Sequence, residues 1–168
     1  MNDLTPVLAV IKQMVTAYQE LLQIQEQKRD LLVAGDVESL PALQQAELKM
    51  LSAVQRLEKE RLTALQEVFG AQASAESWTL QKLQSVASPV QRLQIRAAGE
   101  ALQEAVRQVQ ALHDLNKRLI GQSLQYVQYT LDLLTGEPGE LVPTYSRQDV
   151  APSGTGTGSA RSMFDSKV

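Results

Sequence analysis

Residues 3–36, DLTPVLAVIKQMVTAYQELLQIQEQKRDLLVAGD, decide the fold, because their apolar side chains recur every three or four positions. This spacing puts the side chains on one face of an α-helix. Asp3 is a candidate N-cap, Gly35 suits the left-handed residue that ends a helix, and Asp36 can cap the next helix. The pattern predicts a helix over about residues 3–34 and a turn at Gly35-Asp36. Its apolar positions include Val7, Leu8, Ile11, Val15, Tyr18 and Leu22.

A second helix is expected to pack antiparallel to the first, because a helix of about 48 Å is too long for a small globular core to cover. Apolar residues from Leu40 to Phe69 predict this helix over about residues 37–69, closed by Gly70. Pro41 should bend or delay its start, since the proline ring clashes with the carbonyl four residues back. The first two helices are therefore expected to form a long hairpin.

Two further helices are predicted after the hairpin. Leu80, Leu83 and Val86 indicate a short connecting helix over about residues 78–87, and Ser88-Pro89 opens the longest helix, over about residues 89–135. The apolar stripe of this last helix outreaches either arm of the hairpin. Part of this apolar stripe then has no helix to pack on, unless the chain bends, dimerises or binds a partner. The expected fold is all-α, a coiled-coil-like bundle of residues 1–136.

The last 32 residues differ in composition from the rest of the chain. They hold half of the six prolines and four of the nine glycines, which predicts a flexible C-terminal tail over residues 137–168. Two short apolar islands, at residues 141–145 and 162–165, suggest segments that order only on a partner. An inert, frayed tail is the alternative.

Composition excludes several classes of function. The chain has no cysteine and one histidine, so it can perform no thiolate chemistry and offers few ligands for a zinc site. We therefore predict no catalytic residue, metal or cofactor. His113 is expected to be partly buried and hydrogen-bonded. A net charge of −3 and 4% aromatic residues argue against nucleic acid as a partner. The chain lacks a basic leader and a long apolar run, which predicts a cytoplasmic protein without membrane insertion.

Polar residues interrupt the apolar stripes at several points. In a hairpin that turns at 35 and 36, facing residues have numbers that sum to about 71, so Glu47 should lie opposite Gln25 and within reach of Lys28. A solvated edge or an ion pair between helices is the plain interpretation. Asn116 interrupts the stripe of the long helix, where a buried amide commonly sets register or oligomeric state. The predicted structural polar layer comprises Lys28, Glu47, Glu58, Arg61 and Asn116.

Three stretches together resemble a known family. Gly35-Asp36, Glu47, Met50-Leu51, Val54, Leu57-Glu58 and Arg61 are similar to the L…E…LL…L..LE..R signature of FlgN-type flagellar export chaperones. The long helix adds the residues of an N..LI..SL.YV segment, and the tail has a tyrosine followed by a short acidic-basic end. The helix residues are Asn116, Leu119, Ile120, Ser123, Leu124, Tyr126 and Val127, and the tail residues are Tyr145 and Asp165 to Val168.

The resemblance implies a cytoplasmic chaperone that binds hook-associated flagellar proteins, keeps them soluble and delivers them to the cytoplasmic domain of the flagellar type III export gate. By the same resemblance, Tyr145 is the candidate for docking on the gate, and folding back on the helices is its alternative. A homodimeric coiled-coil adaptor that pairs through Asn116 is the second hypothesis. Client contacts are expected from surplus apolar surface and from the tail islands. The expected client-binding residues are Leu124, Val127, Leu131, Leu134, Leu141, Val142, Met163 and Phe164.

Overall fold

The computed structural model describes residues 3–136, which form four α-helices and no strand. Helix α1 comprises Thr5–Ala34, α2 Leu40–Phe69, α3 Leu80–Val86 and α4 Pro89–Thr135. The predicted all-α fold is confirmed. Among the described residues the chain divides into two compact units, the first ending at Leu119 and the second beginning at Ile120, so α4 contributes to both.

Helix α1 begins two residues after the predicted N-cap. Leu4 occupies the N-cap position without a side-chain cap, while the Asp3 carboxylate accepts a hydrogen bond from the Thr5 N–H at 3.0 Å. Hydrogen bonds from Thr5, led by that of its hydroxyl, hold the pKa of Asp3 below its ordinary value. Gln91 Nε2 donates to the same carboxylate at 3.2 Å. Asp3 is therefore not the N-cap, and it connects the start of α1 to the start of α4 instead.

The turn between α1 and α2 depends on Gly35, which has a φ of 71° in the left-handed region. Its N–H and that of Asp36 donate to the carbonyls of Leu32 and Leu31, which satisfies the last turn of α1. Ser39 donates through its N–H and its hydroxyl to Asp36, and the hydroxyl bond is the main reason why the pKa of Asp36 is lowered. Helix α2 begins at Leu40, with Pro41 in a first turn that needs no amide donor.

Helix α3 is short, and side chains at its N-terminal end hold it in place. The Thr79 side chain accepts a hydrogen bond from the Lys82 N–H, which caps the helix. The ring of Trp78 stacks on Phe69, with centroids 3.5 Å apart, and Lys82 Nζ lies 4.4 Å from the Trp78 ring. Leu83 is 2% exposed in the core. The connection from α2 to α4 is thus a packed element.

The apolar core of the first unit draws on all four helices. Because α1 and α2 are long and apolar on one face, most core residues come from their facing turns and from the first half of α4. Those with the least exposure, 0–2%, include Leu4, Val7, Ile11, Leu21, Leu65, Ile95 and Val109.

In each of the three long helices, the buried residue at one end of the core is polar. The last buried residue of α1 is Gln25, the first of α2 is Glu47 and the last of α4 is Asn116. No residue in 26–46 or in 117–136 is buried. These three polar residues therefore mark where the core ends in each long helix.

Replacing Gly35 by alanine should lower the free energy of unfolding by about 1–2 kcal/mol, the cost of a left-handed residue with a Cβ. Gly121 supplies a matched control, because it lies inside α4 and a Cβ there would meet nothing within 4 Å. Gly121→Ala should leave the stability unchanged or raise it, since alanine favours a helix interior. Urea denaturation followed by circular dichroism measures both. Equal stability of Gly35→Ala and the wild type would contradict the role of this turn.

Candidate functional site

The second half of α4 carries a row of exposed aliphatic side chains. Leu124, Val127, Leu131 and Leu134 are 66%, 53%, 49% and 78% exposed. Their spacing of three and four residues puts them on one side of the helix, so four of the predicted client-binding residues form a single surface. We call this surface the aliphatic face.

The aliphatic face continues a stripe that is buried earlier in the same helix. Leu102 and Val109 are 6% and 1% exposed, whereas Ile120, further along the stripe, is 38% exposed. Large exposed apolar patches are typical of binding sites. The same periodic pattern thus serves as core before Asn116 and as open surface after it.

Sequence reasoning missed a second exposed row on α4. Tyr126, Tyr129 and Leu133 are 72%, 62% and 66% exposed. At about 100° per residue they lie roughly 120–180° around the helix from the centre of the aliphatic face. We call them the tyrosine face. The signal in the sequence is the absence of any charged residue between Arg118 and Asp132.

The other five residues proposed for binding lie outside the described residues. They are Leu141, Val142, Tyr145, Met163 and Phe164.

A hydrogen-bonded polar layer joins three helices of the first unit. Lys28 Nζ lies 2.7 Å from Glu47 Oε2, and Gln25 Nε2 donates to Glu47 Oε1 at 2.6 Å. Asn116 Nδ2 donates to the backbone oxygen and to Oε1 of Gln25, at 2.9 and 3.0 Å. We use the term polar layer for these four residues. The structure therefore brings Lys28, Glu47 and Asn116 together, with Gln25 as the residue that joins them.

Asn116 is engaged within its own chain. It is 1% exposed, and its Oδ1 accepts no hydrogen bond from the described residues. Because its Nδ2 already donates to Gln25, the amide has no surface to offer a second copy. In this chain Asn116 donates to Gln25 on α1, and pairing of α4 with its own copy stays a prediction.

Glu58 and Arg61 do not belong to the polar layer. Arg61 donates to Glu58 within α2, with 2.9 Å between Nη2 and Oε2. Glu58 is eleven residues beyond Glu47 in the sequence, which is about 16 Å along a helix. Tyr18 lies beside the Glu58–Arg61 pair: burial raises the pKa of its phenol, Glu58 raises it further and Arg61 opposes the shift. The predicted single layer is therefore two separate clusters.

His113 is exposed, so the prediction of a partly buried imidazole is wrong. Among residues 3–136, no three histidine or acidic side chains are grouped closely enough to hold a metal ion.

Comparison of the chain with models of protein families identifies its family. A family model described as FlgN protein matches residues 1–151. The chain belongs to the FlgN family. This is a family of flagellar export chaperones, so membership implies a protein that binds flagellar proteins. No curated protein and no solved structure matches the chain closely enough to add a named relative. None of the helices that the structure describes is both long and apolar enough to span a membrane.

Removing the carboxylate of the polar layer should destabilise this FlgN-family chain. Glu47→Ala leaves Gln25 Nε2 and Lys28 Nζ without their acceptor, and we expect a loss of about 2–3 kcal/mol in the free energy of unfolding. Glu67→Ala is the matched control, since Glu67 is an exposed glutamate of the same helix and should change stability by less than about 0.5 kcal/mol. Chemical denaturation compares the two, and equal effects would contradict the role of the layer.

Proposed function

We propose that the chain is a cytoplasmic export chaperone that binds hook-associated flagellar proteins, keeps them soluble and delivers them to the flagellar type III export gate. Membership of the FlgN family supports the general role. The observation that carries the proposal is the aliphatic face, where four aliphatic side chains of α4 remain about half or more exposed. A protein whose task is to cover the apolar segments of others needs such a surface.

The chemistry of the aliphatic face suits an amphipathic helix of the client. Four anchors spaced by three and four residues match the apolar side of a second helix that lies along α4. Each well-buried aliphatic group contributes roughly 1.5–3 kcal/mol before the costs of ordering are subtracted. The sum supports dissociation constants in the range of about micromolar to nanomolar. Binding of this strength protects a client and still allows its release.

Docking on the export gate is proposed for Tyr145, which lies outside the described residues. The support is the resemblance of its surroundings to the tail of FlgN-type chaperones. A tyrosine combines a large apolar ring with a hydroxyl that forms hydrogen bonds, which suits a contact at the edge of an interface. Client and gate would then bind different parts of the chain, and the tail islands at residues 141–142 and 163–164 would extend the client contact.

A homodimeric coiled-coil adaptor without an export role is the second candidate. The observation in its favour is the alternate spacing of four and three residues along Ile120 and the aliphatic face, which is the a/d pattern of a coiled coil. Such an adaptor would be a dimer without any client, whereas the chaperone needs no second copy to bind. Light scattering on the isolated chain distinguishes the two.

The double substitution Leu131→Asp and Leu134→Asp should abolish co-purification with hook-associated proteins. Two carboxylates in the aliphatic face would have to be desolvated by the client, which costs more than the lost apolar contact. Val90→Asp with Leu93→Asp is the matched control, because these side chains are 68% and 69% exposed near the start of the same helix. The control should retain binding, and both variants should keep a helical circular dichroism spectrum. Normal binding by the first variant would show that the client surface lies elsewhere.

Tyr145→Ala should separate the two functions. We expect it to retain the client and to lose the cytoplasmic domain of the export gate in parallel pull-downs. Tyr145→Phe keeps the ring, so its behaviour reports whether the hydroxyl or the apolar surface matters. Loss of both partners in Tyr145→Ala would favour a tyrosine that folds back on the helices, and unchanged binding of the gate would refute docking through this residue.

A further inference from the structure

We propose that the tyrosine face is a second client-binding surface, so that the client encloses α4 from two opposite sides. This inference rests on the proposed function and extends it. It assigns Tyr126, Tyr129 and Leu133 to client recognition. It also assigns a form to the bound segment, which is a pair of amphipathic helices joined by a turn.

The first support is the distribution of apolar groups around the helix. Between Ile120 and Leu134, eight large hydrophobic side chains are exposed, and they fall on two sides of α4. A helix that serves as the wall of one groove needs a single apolar side and carries charges on the other. A helix that is apolar on both sides is typical of one that is covered on both sides.

The second support is the absence of charge. The residues from Leu119 to Leu131 include no Asp, Glu, Lys or Arg, although the chain as a whole is 21% charged. The polar positions of this stretch are glutamine, serine and threonine, and the first acidic residue, Asp132, lies at its end between Leu131 and Leu133. Neither face therefore has ion pairs with which to steer a charged partner. The segment that binds here should present neutral, apolar inner surfaces on both of its helices.

The third support is the area that a stable complex requires. A buried aliphatic side chain removes roughly 60–120 Å² of apolar surface from water, so the four anchors of the aliphatic face provide at most about 500 Å². A specific interface of standard size needs about 800 Å² on each partner. Two tyrosine rings at this exposure add on the order of 100–150 Å² each. With Leu133, the tyrosine face brings the total close to the required area.

The same arithmetic disfavours a second copy as the occupant of the tyrosine face. Two chains that met through this face alone would each bury only two tyrosine rings and one leucine, which is well below the area of a stable dimer. A client helix pair adds its contacts on this face to those on the other, because the two helices are covalently joined. The hydroxyls of Tyr126 and Tyr129 can keep their contact with water or bond to polar groups of the client.

Photo-crosslinking tests the enclosure directly in the full chain. p-Benzoylphenylalanine is placed at position 129, at position 131 or, as a control, at Gln103, which is an exposed residue of α4 in the first unit. Each chain is mixed with a hook-associated protein that binds the wild type, and crosslinked peptides are mapped. Positions 129 and 131 should crosslink to two different segments of the client, and position 103 to neither. Crosslinks from 131 alone would overturn the inference.

A pair of substitutions provides the affinity measurement. Tyr126→Gln with Tyr129→Gln should weaken client binding at least tenfold, while Leu93→Gln, a change of similar exposure elsewhere on α4, should change it less than twofold. Glutamine is chosen because it keeps helix propensity and adds no charge.

The outcomes separate this inference from the proposed function. If the tyrosine variant binds normally while Leu131→Asp with Leu134→Asp does not, the chaperone role stands and the second face is refuted. If the free chain is a dimer by light scattering and the tyrosine variant is a monomer, the face belongs to a second copy and the inference fails. If the wild type captures no hook-associated protein, both proposals fall together.

Discussion

The hydrogen bonds of Gln25 are the constraint on which the three long helices depend. Its amide donates to Glu47 on α2, while its side-chain and backbone oxygens accept from Asn116 on α4. Apolar stripes alone allow neighbouring helices to slide by a turn at little cost, because one leucine replaces another. A slip here would leave a buried amide and a buried carboxylate without partners, and each such group costs about 1–3 kcal/mol. The polar layer therefore fixes one register.

The same layer marks where the apolar residues of α4 change from buried to exposed. The core residues precede the polar layer in α1 and α4 and follow it in α2. No buried residue follows Asn116 in α4. The aliphatic face begins eight residues later, at Leu124, and the tyrosine face ten residues later, at Tyr126. The core and the aliphatic face thus share one periodic pattern along α4, which Asn116 divides into a buried part and an exposed part. Substitutions before Asn116 should act mainly on folding, and those after Ile120 mainly on binding.

Short-range physics explains what the sequence could predict. Backbone preferences mark the helix ends at Gly35, Pro41 and Pro89. The turn at Gly35 sets which residues of α1 and α2 face each other, and this brings Glu47 opposite Gln25 and within reach of Lys28. The partner of Asn116 could not be predicted, because Gln25 is ninety-one residues away and α3 leaves the register of α4 open. The tyrosine face was missed because a tyrosine on the far side of a helix resembles an ordinary solvated position.

Gly121 lowers the local stability of the part of α4 that carries the exposed surface. It lies at the start of that surface, nothing would contact a Cβ there, and a glycine inside a helix costs about 1 kcal/mol relative to alanine. The turns that follow contain no buried residue, so their hydrogen bonds open at a lower free-energy cost than those of the core. In the proposed complex, part of the binding free energy would be used to order these turns. Under the proposed two-sided contact, the tyrosine face would offset this ordering cost and so keep the affinity that the aliphatic face supplies.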